Sequence, residues 1–179
     1  VVSVTSGAIT SHAGALAGEP GVVLAAGTGA VAIAVGADRR FRRVDGVGPW
    51  LGDEGSGAWP GRRGLQAVAR AGDGRGPATS LANAMTQQFG SIAQLATRLG
   101  SDPNPARVLA SFAPAVADAA RAGDAEAQRL LEACAAARSE AGRSAARALD
   151  SAEPVAMVIV GGLTDMGPVL LDPLHAALA

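Results

Sequence analysis

Gly46-Val47-Gly48-Pro49-Trp50-Leu51-Gly52-Asp53-Glu54-Gly55-Ser56-Gly57 sets five glycines around a single acidic pair, and Gly27-Thr28-Gly29 stands upstream of it. Each glycine costs conformational entropy on folding, so packing alone does not favour this much flexible backbone beside two carboxylates. Such backbone is useful where a ligand must approach the main chain closely. Its amides then bind anionic oxygens while a carboxylate accepts from hydroxyls. The stretch reads as the wall of a sugar and phosphate pocket. Asp53-Glu54 could equally cap the helix that follows, because acids favour a helix start, and the two roles are compatible.

Outward from this loop the pattern is α/β. Val22 to Ala26 and Ala30 to Val35 are short apolar runs joined by Gly27-Thr28-Gly29, which predicts two paired, buried strands and a tight turn. Phe41 to Val44 reads as a third, exposed strand, and Arg39-Arg40-Phe41-Arg42-Arg43 as its solvated edge. Upstream, Val1 to Val4 reads as the end of a strand feeding a helix from Ala8 to Ala17, with Thr5 or Ser6 as cap. Downstream, helical spacing runs from Ala58 to Ala71, despite Pro60 and Gly64, and then over about 78–89, 91–99, 105–122 and 124–149, with Asp124 capping the last. This block, about 78–149, reads as an α-helical insertion whose role is packing. Val155 to Val160 predicts a central parallel strand buried on both faces. It ends in Gly161-Gly162, at the carboxyl edge where open α/β sheets bind ligands, and a last helix follows from about Met166 to Leu178.

Composition bounds the rest. Hydrophobic residues are 49% of the 179-residue chain but aromatics only 3%, so the core must be built from Ala, Val and Leu. All 15 basic residues are arginines, yet the formal net charge is −1, which argues against non-specific nucleic-acid binding. The one cysteine, Cys134, excludes an internal disulfide and a cysteine-rich metal site, and reads as a small core residue. His12 reads as packed on its helix face. No apolar run reaches membrane-spanning length, and no signal-peptide pattern opens the sequence. The expected location is cytoplasmic.

Taken together, Gly27-Thr28-Gly29, then Gly46-x-Gly48-x-x-Leu51-Gly52-Asp53-Glu54-Gly55-Ser56-Gly57, then Val160-Gly161-Gly162-Leu163 resembles the N-acetylglucosamine kinase and BadF/BadG/BcrA/BcrD ATPase family, within the actin, sugar-kinase and Hsp70 superfamily. The order and spacing are similar from Val4 to Leu163, and bacterial glucosamine kinases are the nearest subgroup. The resemblance implies a ribonuclease H-like, actin-type ATPase lobe with a central sheet and a helical insertion. Residues 1–179 would be the C-terminal lobe, the N-terminal lobe lying outside the sequence. It further implies ATP and Mg²⁺ as cofactors and an amino sugar as the acceptor of a phosphoryl group. Gly27, Thr28 and Gly29 would form a phosphate loop, Gly161 and Gly162 would contact the adenosine, and Thr28, Gly48 and Asp53 would line the sugar pocket. A lone lobe exposes an apolar cleft wall, so a homodimer is expected.

The sequence departs from the family pattern at three positions. Gly7 stands where the resemblance expects the aspartate that takes the proton from the attacking hydroxyl; loss of a general base typically costs about 10²- to 10⁴-fold in rate. Val47 stands where a tryptophan would wall the sugar pocket, and Pro60 where an aliphatic residue is usual. Two further readings follow. One is a non-catalytic sugar-binding or interaction module of the same fold, which Gly7 and Val47 favour and the intact Gly-Asp-Glu-Gly-Ser string opposes. The other is an activator ATPase holding an iron–sulfur cluster between subunits, which the solitary Cys134 opposes.

Overall fold

Two β-branched, apolar runs flanking a glycine turn form a hairpin. Strand β1 (Gly21–Ala26) pairs antiparallel with β2 (Ala30–Val35), Leu24 lying opposite Ala32. Strand β3 (Phe41–Asp45) continues the meander, with Val31 opposite Asp45. Strand β4 (Met157–Val160) returns parallel to β1, giving the order β3-β2-β1-β4. The computed structural model describes residues 7–179; the strand end expected over Val1–Val4 and the cap expected at Thr5 or Ser6 lie outside the described residues.

Helices cover both faces of this sheet. On one face, the long α7 (Ala125–Arg147) buries Val22, Leu24, Ala32 and Ala34 against Ala141 and Ala145. On the other lies α1 (Gly7–Leu16), where His12 is buried with Nε2 3.2 Å from the Gly21 carbonyl oxygen. Burial on both sides is why β1 and β2 read as unbroken apolar runs. The expectation for the last strand needs correction. Among the described residues β4 pairs with β1 alone, stands at the sheet edge and is only half-buried.

Between β3 and β4 come α2 (Ala58–Gly72), α3 (Leu81–Phe89), α4 (Ile92–Ser101), α5 (Pro105–Ala110), α6 (Ala113–Arg121) and α7. The helix expected over 105–122 is two. Pro114 has no N–H to donate to Ala110, so the chain restarts at Ala113 with Phe112 fully buried at the joint. Pro60 falls within the first turn of α2, where proline is tolerated. After β4 a 3-10 turn (Gly162–Met166) leads into α8 (Pro168–Leu178). Phe112, Leu81 and Leu131 of the helical block share one core with Leu170 and Leu174 of α8, so the block is continuous with the body of the molecule.

Asp124 shows how this packing is fixed. Its Oδ1 accepts from the Ala127 amide at 3.0 Å, capping α7. Its Oδ2 accepts from the Ser80 amide, the Ser80 hydroxyl and the Thr79 hydroxyl at 2.6, 2.8 and 2.9 Å, anchoring the start of α3. Partial burial works to raise its pKa. Those donors outweigh it and hold the carboxyl at about 2. A depressed carboxyl pKa contributes stability above the unfolded value, near 4, and that stability is lost as pH falls toward 2. Asp124→Asn should therefore unfold about 1–2 kcal/mol more easily at pH 7, after allowance for partial exposure. Denaturation midpoints of the two proteins, separate at pH 7, should converge near pH 2.

Candidate functional site

The glycine-rich loop is organised by a residue just before it. Asp45, the last residue of β3, accepts through Oδ1 from the amides of Gly46 (2.6 Å) and Asp53 (2.8 Å), and through Oδ2 from the amide of Glu54 (2.9 Å). One carboxylate thus gathers both ends of the loop. Asp45 and Asp53 both hold left-handed backbone, with φ of 61° and 55°. Non-glycine residues do this at some cost, and such positions cluster at functional sites. Ser56 is buried, and its hydroxyl accepts from the Trp59 amide at 3.3 Å at the start of α2. The helix-capping role considered for Asp53-Glu54 therefore falls to Ser56.

This arrangement brings Asp53 to the Gly27-Thr28-Gly29 turn. The Asp53 carboxylate lies over Gly29, where an added β-carbon would fall 2.7 Å from Oδ2. The first amides of α2 complete the junction, since Gly57 donates to the Gly27 carbonyl at 2.7 Å and Ala58 to the Thr28 carbonyl at 3.2 Å. The turn separates two cavities. The first, about 450 Å³, lies between the turn, α6 and the 3-10 turn, lined by Gly27, Thr28, Ala113, Ala117, Gly162 and Asp165 among others. The second, about 500 Å³, lies on the side of α1 and β3, lined by Ile9, Gly27, Gly29, Phe41, Arg43, Gly46 and Asp53 among others. Both fall in the roughly 300–1,000 Å³ range of small-molecule sites. Asp53 is half-buried, and its carboxylate accepts no hydrogen bond from the described residues. It is available to hydroxyl donors entering the second cavity.

The predicted residues divide accordingly. Gly27 borders both cavities, Thr28 the first, Gly29 and Asp53 the second. Gly162 lines the first cavity, but Gly161 does not. Gly161 has φ 106°, and an added β-carbon would collide with the Ala26 carbonyl, so its part is close packing of the turn on β1. Gly48 is a turn residue whose carbonyl accepts from Leu51 and Gly52, while Gly46 is the loop glycine at the second cavity. Val47 is exposed, as are Trp50 and Leu51. Gly7 opens α1, two residues before Ile9 of the second cavity.

Other residues at the site carried little sequence signal. Asp45 could have been read from its place before Gly46, since Asp-Gly marks turns in which the carboxylate binds nearby amides. Asp118 and Arg121 of α6 reach the first cavity from the helical block expected only to pack. Arg121 pairs with Asp118 and donates to the Met166 carbonyl at 2.8 Å, tying α6 to the turn that carries Gly162.

The profile of the BadF/BadG/BcrA/BcrD ATPase family matches residues 2–172. Among solved structures, a presumed N-acetylglucosamine kinase from Chromobacterium violaceum is similar over 96% of this chain and 59% of its own, with TM-score 0.79 and 33% identity. A second presumed N-acetylglucosamine kinase, from Porphyromonas gingivalis, has TM-score 0.74 and 21% identity over 93% of this chain and 55% of its own. A ROK family glucokinase from Streptomyces griseus, solved with glucose and AMPPNP, has TM-score 0.55 and 17% identity over 95% of this chain and 54% of its own. The last two likenesses concern the fold, which is that of actin-like ATPases and sugar kinases. The chain spans between half and two thirds of the length of each structure. No curated protein matches it.

The two adjacent glycines after β4 differ in how closely the backbone of β1 approaches them. Gly161→Ala meets both positive φ and the Ala26 backbone, so thermal denaturation should show a loss of about 2 kcal/mol or more. At Gly162 an added β-carbon meets only Asp165 Oδ2, at 3.8 Å. Gly162→Ala should keep stability within about 0.5 kcal/mol of the parent.

Proposed function

Because the chain belongs to the BadF/BadG/BcrA/BcrD ATPase family, we propose that it forms the sugar- and adenosine-binding part of an ATP-dependent kinase. The acceptor we propose is an amino sugar, glucosamine or N-acetylglucosamine. The observation that carries this reading is the Asp53 carboxylate. It is fixed over Gly29 by its own amide on Asp45, carries no partner on its oxygens among the described residues, and borders a cavity of about 500 Å³. A half-buried carboxylate with both oxygens open to a cavity accepts readily from hydroxyl donors, and a pair of sugar hydroxyls supplies them.

The adenosine end of ATP fits the first cavity, where the mixed wall of Ala113, Ala117, Gly162 and Asp165 suits a flat, largely apolar base with polar edges. The exposed turn at Gly27 and Thr28 lies between that cavity and Asp53, where a phosphate chain would pass. ATP supplies the phosphoryl group, and Mg²⁺ neutralises charge on the phosphates. Among the described residues no three His, Cys, Asp or Glu side chains cluster as a metal cage. Mg²⁺ in such sites is held by one or two carboxylates together with the nucleotide's own phosphates; Asp118 is already paired with Arg121, which leaves Asp165 as the described carboxylate of the first cavity that suits it. What this chain's residues do is bind and orient: Asp53 fixes the hydroxyl face of the sugar, and the turn fixes the phosphates.

Gly7 favours a second reading, a sugar-binding module without catalysis. The first residue of α1 carries no carboxylate, although among the described residues an added β-carbon there would meet nothing within 4 Å. Calorimetric titration with glucosamine and N-acetylglucosamine is the first test, and absence of binding to either sugar would sink both readings. Asp53→Ala should weaken sugar binding about ten- to hundredfold, the worth of hydrogen bonds to a charged group, and leave ATP binding within about twofold. In a protein carrying this chain together with the remainder of the kinase length, Gly7→Asp should raise sugar-dependent ADP formation about 10²- to 10⁴-fold. Unchanged turnover alongside intact sugar binding would favour the non-catalytic module.

A further inference from the structure

The buried face of α7 is built almost entirely of small and aliphatic residues, with one cation among them. Arg138 is only 1% exposed and is the largest fully buried side chain in the described chain. Its stem lies against the backbone of Gly55, where an added β-carbon would fall 2.5 Å from Arg138 Cγ, 2.6 Å from Cδ and 2.8 Å from the Cys134 carbonyl oxygen. Gly55 also holds φ 68°, so the loop is shaped for this contact as well as for its turn. At the other end of the side chain, Nη2 donates to the Val31 carbonyl at 3.3 Å, while Nη1 has no partner among the described residues. Val31 lies opposite Asp45 across β2 and β3. The side chain therefore runs between the two ends of the loop that carries Asp53, with Cγ and Cδ against Gly55 and Nη2 on the strand residue that pairs with Asp45.

A buried cation with an unpaired N–H is strongly disfavoured unless opposite charge faces it. Burial lowers the pKa of Arg138; Asp45, Cys134 and Asp53 act in the opposite direction, Asp45 most strongly. The carboxylates that offset the buried charge are thus the clamp and the candidate sugar ligand. An apolar side chain of similar length would fill the same volume without that cost, and replacing buried ions in this way is often neutral or stabilising. Packing alone does not account for an arginine here.

We propose that Arg138 is a positioning residue for Asp53: from beneath the loop, its buried charge holds Asp45 and Asp53 in place and so sets the carboxylate that receives the sugar. Its effect on sugar affinity rests on the amino-sugar reading above; its effect on the loop does not.

Arg138→Met keeps the length and apolar stem and removes the charge. Amide hydrogen exchange at Gly46, Asp53 and Glu54, the three donors to Asp45, should become at least tenfold faster in this variant, while amides in the middle of α2 and α7 keep their protection. Calorimetry should show at least tenfold weaker binding of glucosamine or N-acetylglucosamine, with ATP binding changed less than twofold. Arg138→Lys should recover part of both effects. A folded Arg138→Met protein whose three loop amides stay within twofold of the parent would overturn the proposal. If Arg138→Met does not fold, Arg138→Lys against Arg138→Gln decides: lysine must keep the loop amides protected and glutamine must not, and equal protection in both overturns it. A parent chain that binds neither sugar would remove the amino-sugar reading, and the exchange measurement would still decide the part played by Arg138.

Discussion

Two hydrogen bonds from the start of α2 hold the site in its shape. Gly57 and Ala58 donate to the carbonyls of Gly27 and Thr28, so the first amides of a 15-residue helix fix the hairpin turn. Such amides have no partner within their own helix and commonly bind an anion or a capping side chain. Here they bind main chain, and the order of the whole site depends on it. The turn cannot shift without freeing donors on α2, and α2 cannot move without disturbing the turn between β1 and β2. With the turn fixed by its carbonyls, its tip at Gly27 and Thr28 remains exposed between the two cavities.

The close approach of these segments follows from composition. Aromatics are only 3% of the chain, and the helices meet through alanine and glycine as well as through leucine and valine. An added β-carbon at Gly57 would fall 2.9 Å from the Gly27 carbonyl oxygen, and at Gly64 2.8 Å from Val116. Small residues let backbones meet, and this is how α2 reaches the turn and the helical block reaches α2. The same economy of side chains makes the few large ones informative. Phe112 fills the joint between α5 and α6, and Arg138 fills the space under the loop.

What could be read directly from the sequence was local. The hairpin followed from two apolar runs and a glycine turn, the exposed β3 from its arginines, and the α7 cap from Asp124; the loop was marked by glycines around one acidic pair. Each is a signal spread over a dozen residues or fewer, where propensity and patterning act directly. What the sequence hid was long-range. Strand β4 reads as central because Val155 to Val160 is uniformly apolar, but its neighbours on each side are set by topology, and among the described residues only β1 pairs with it. Asp118 and Arg121 look like solvated charges on an amphipathic helix until α6 is placed beside the turn after β4. Arg138 looks like one arginine among several on α7, and only the fold shows that it faces Gly55 and Val31. Gly161 and Gly162 are identical as residues, and their different roles come from the Ala26 backbone lying against only one of them.

The division of the site by a single turn also bears on phosphoryl transfer in the proposed kinase. Transfer of this kind depends mainly on bringing donor and acceptor into line and on stabilising spread negative charge. A nucleotide in the first cavity and a sugar in the second would approach from the two sides of the Gly27-Thr28-Gly29 turn and meet over its exposed tip. This places the precision of the acceptor on Asp53, whose backbone is held by the Asp53 and Glu54 amides donating to Asp45, with the Arg138 stem packed against Gly55. An ångström of drift in such a group is enough to cost a large factor in rate. A loop rich in glycine is free to drift unless it is held at both ends, and Asp45 above with Arg138 below supply that restraint.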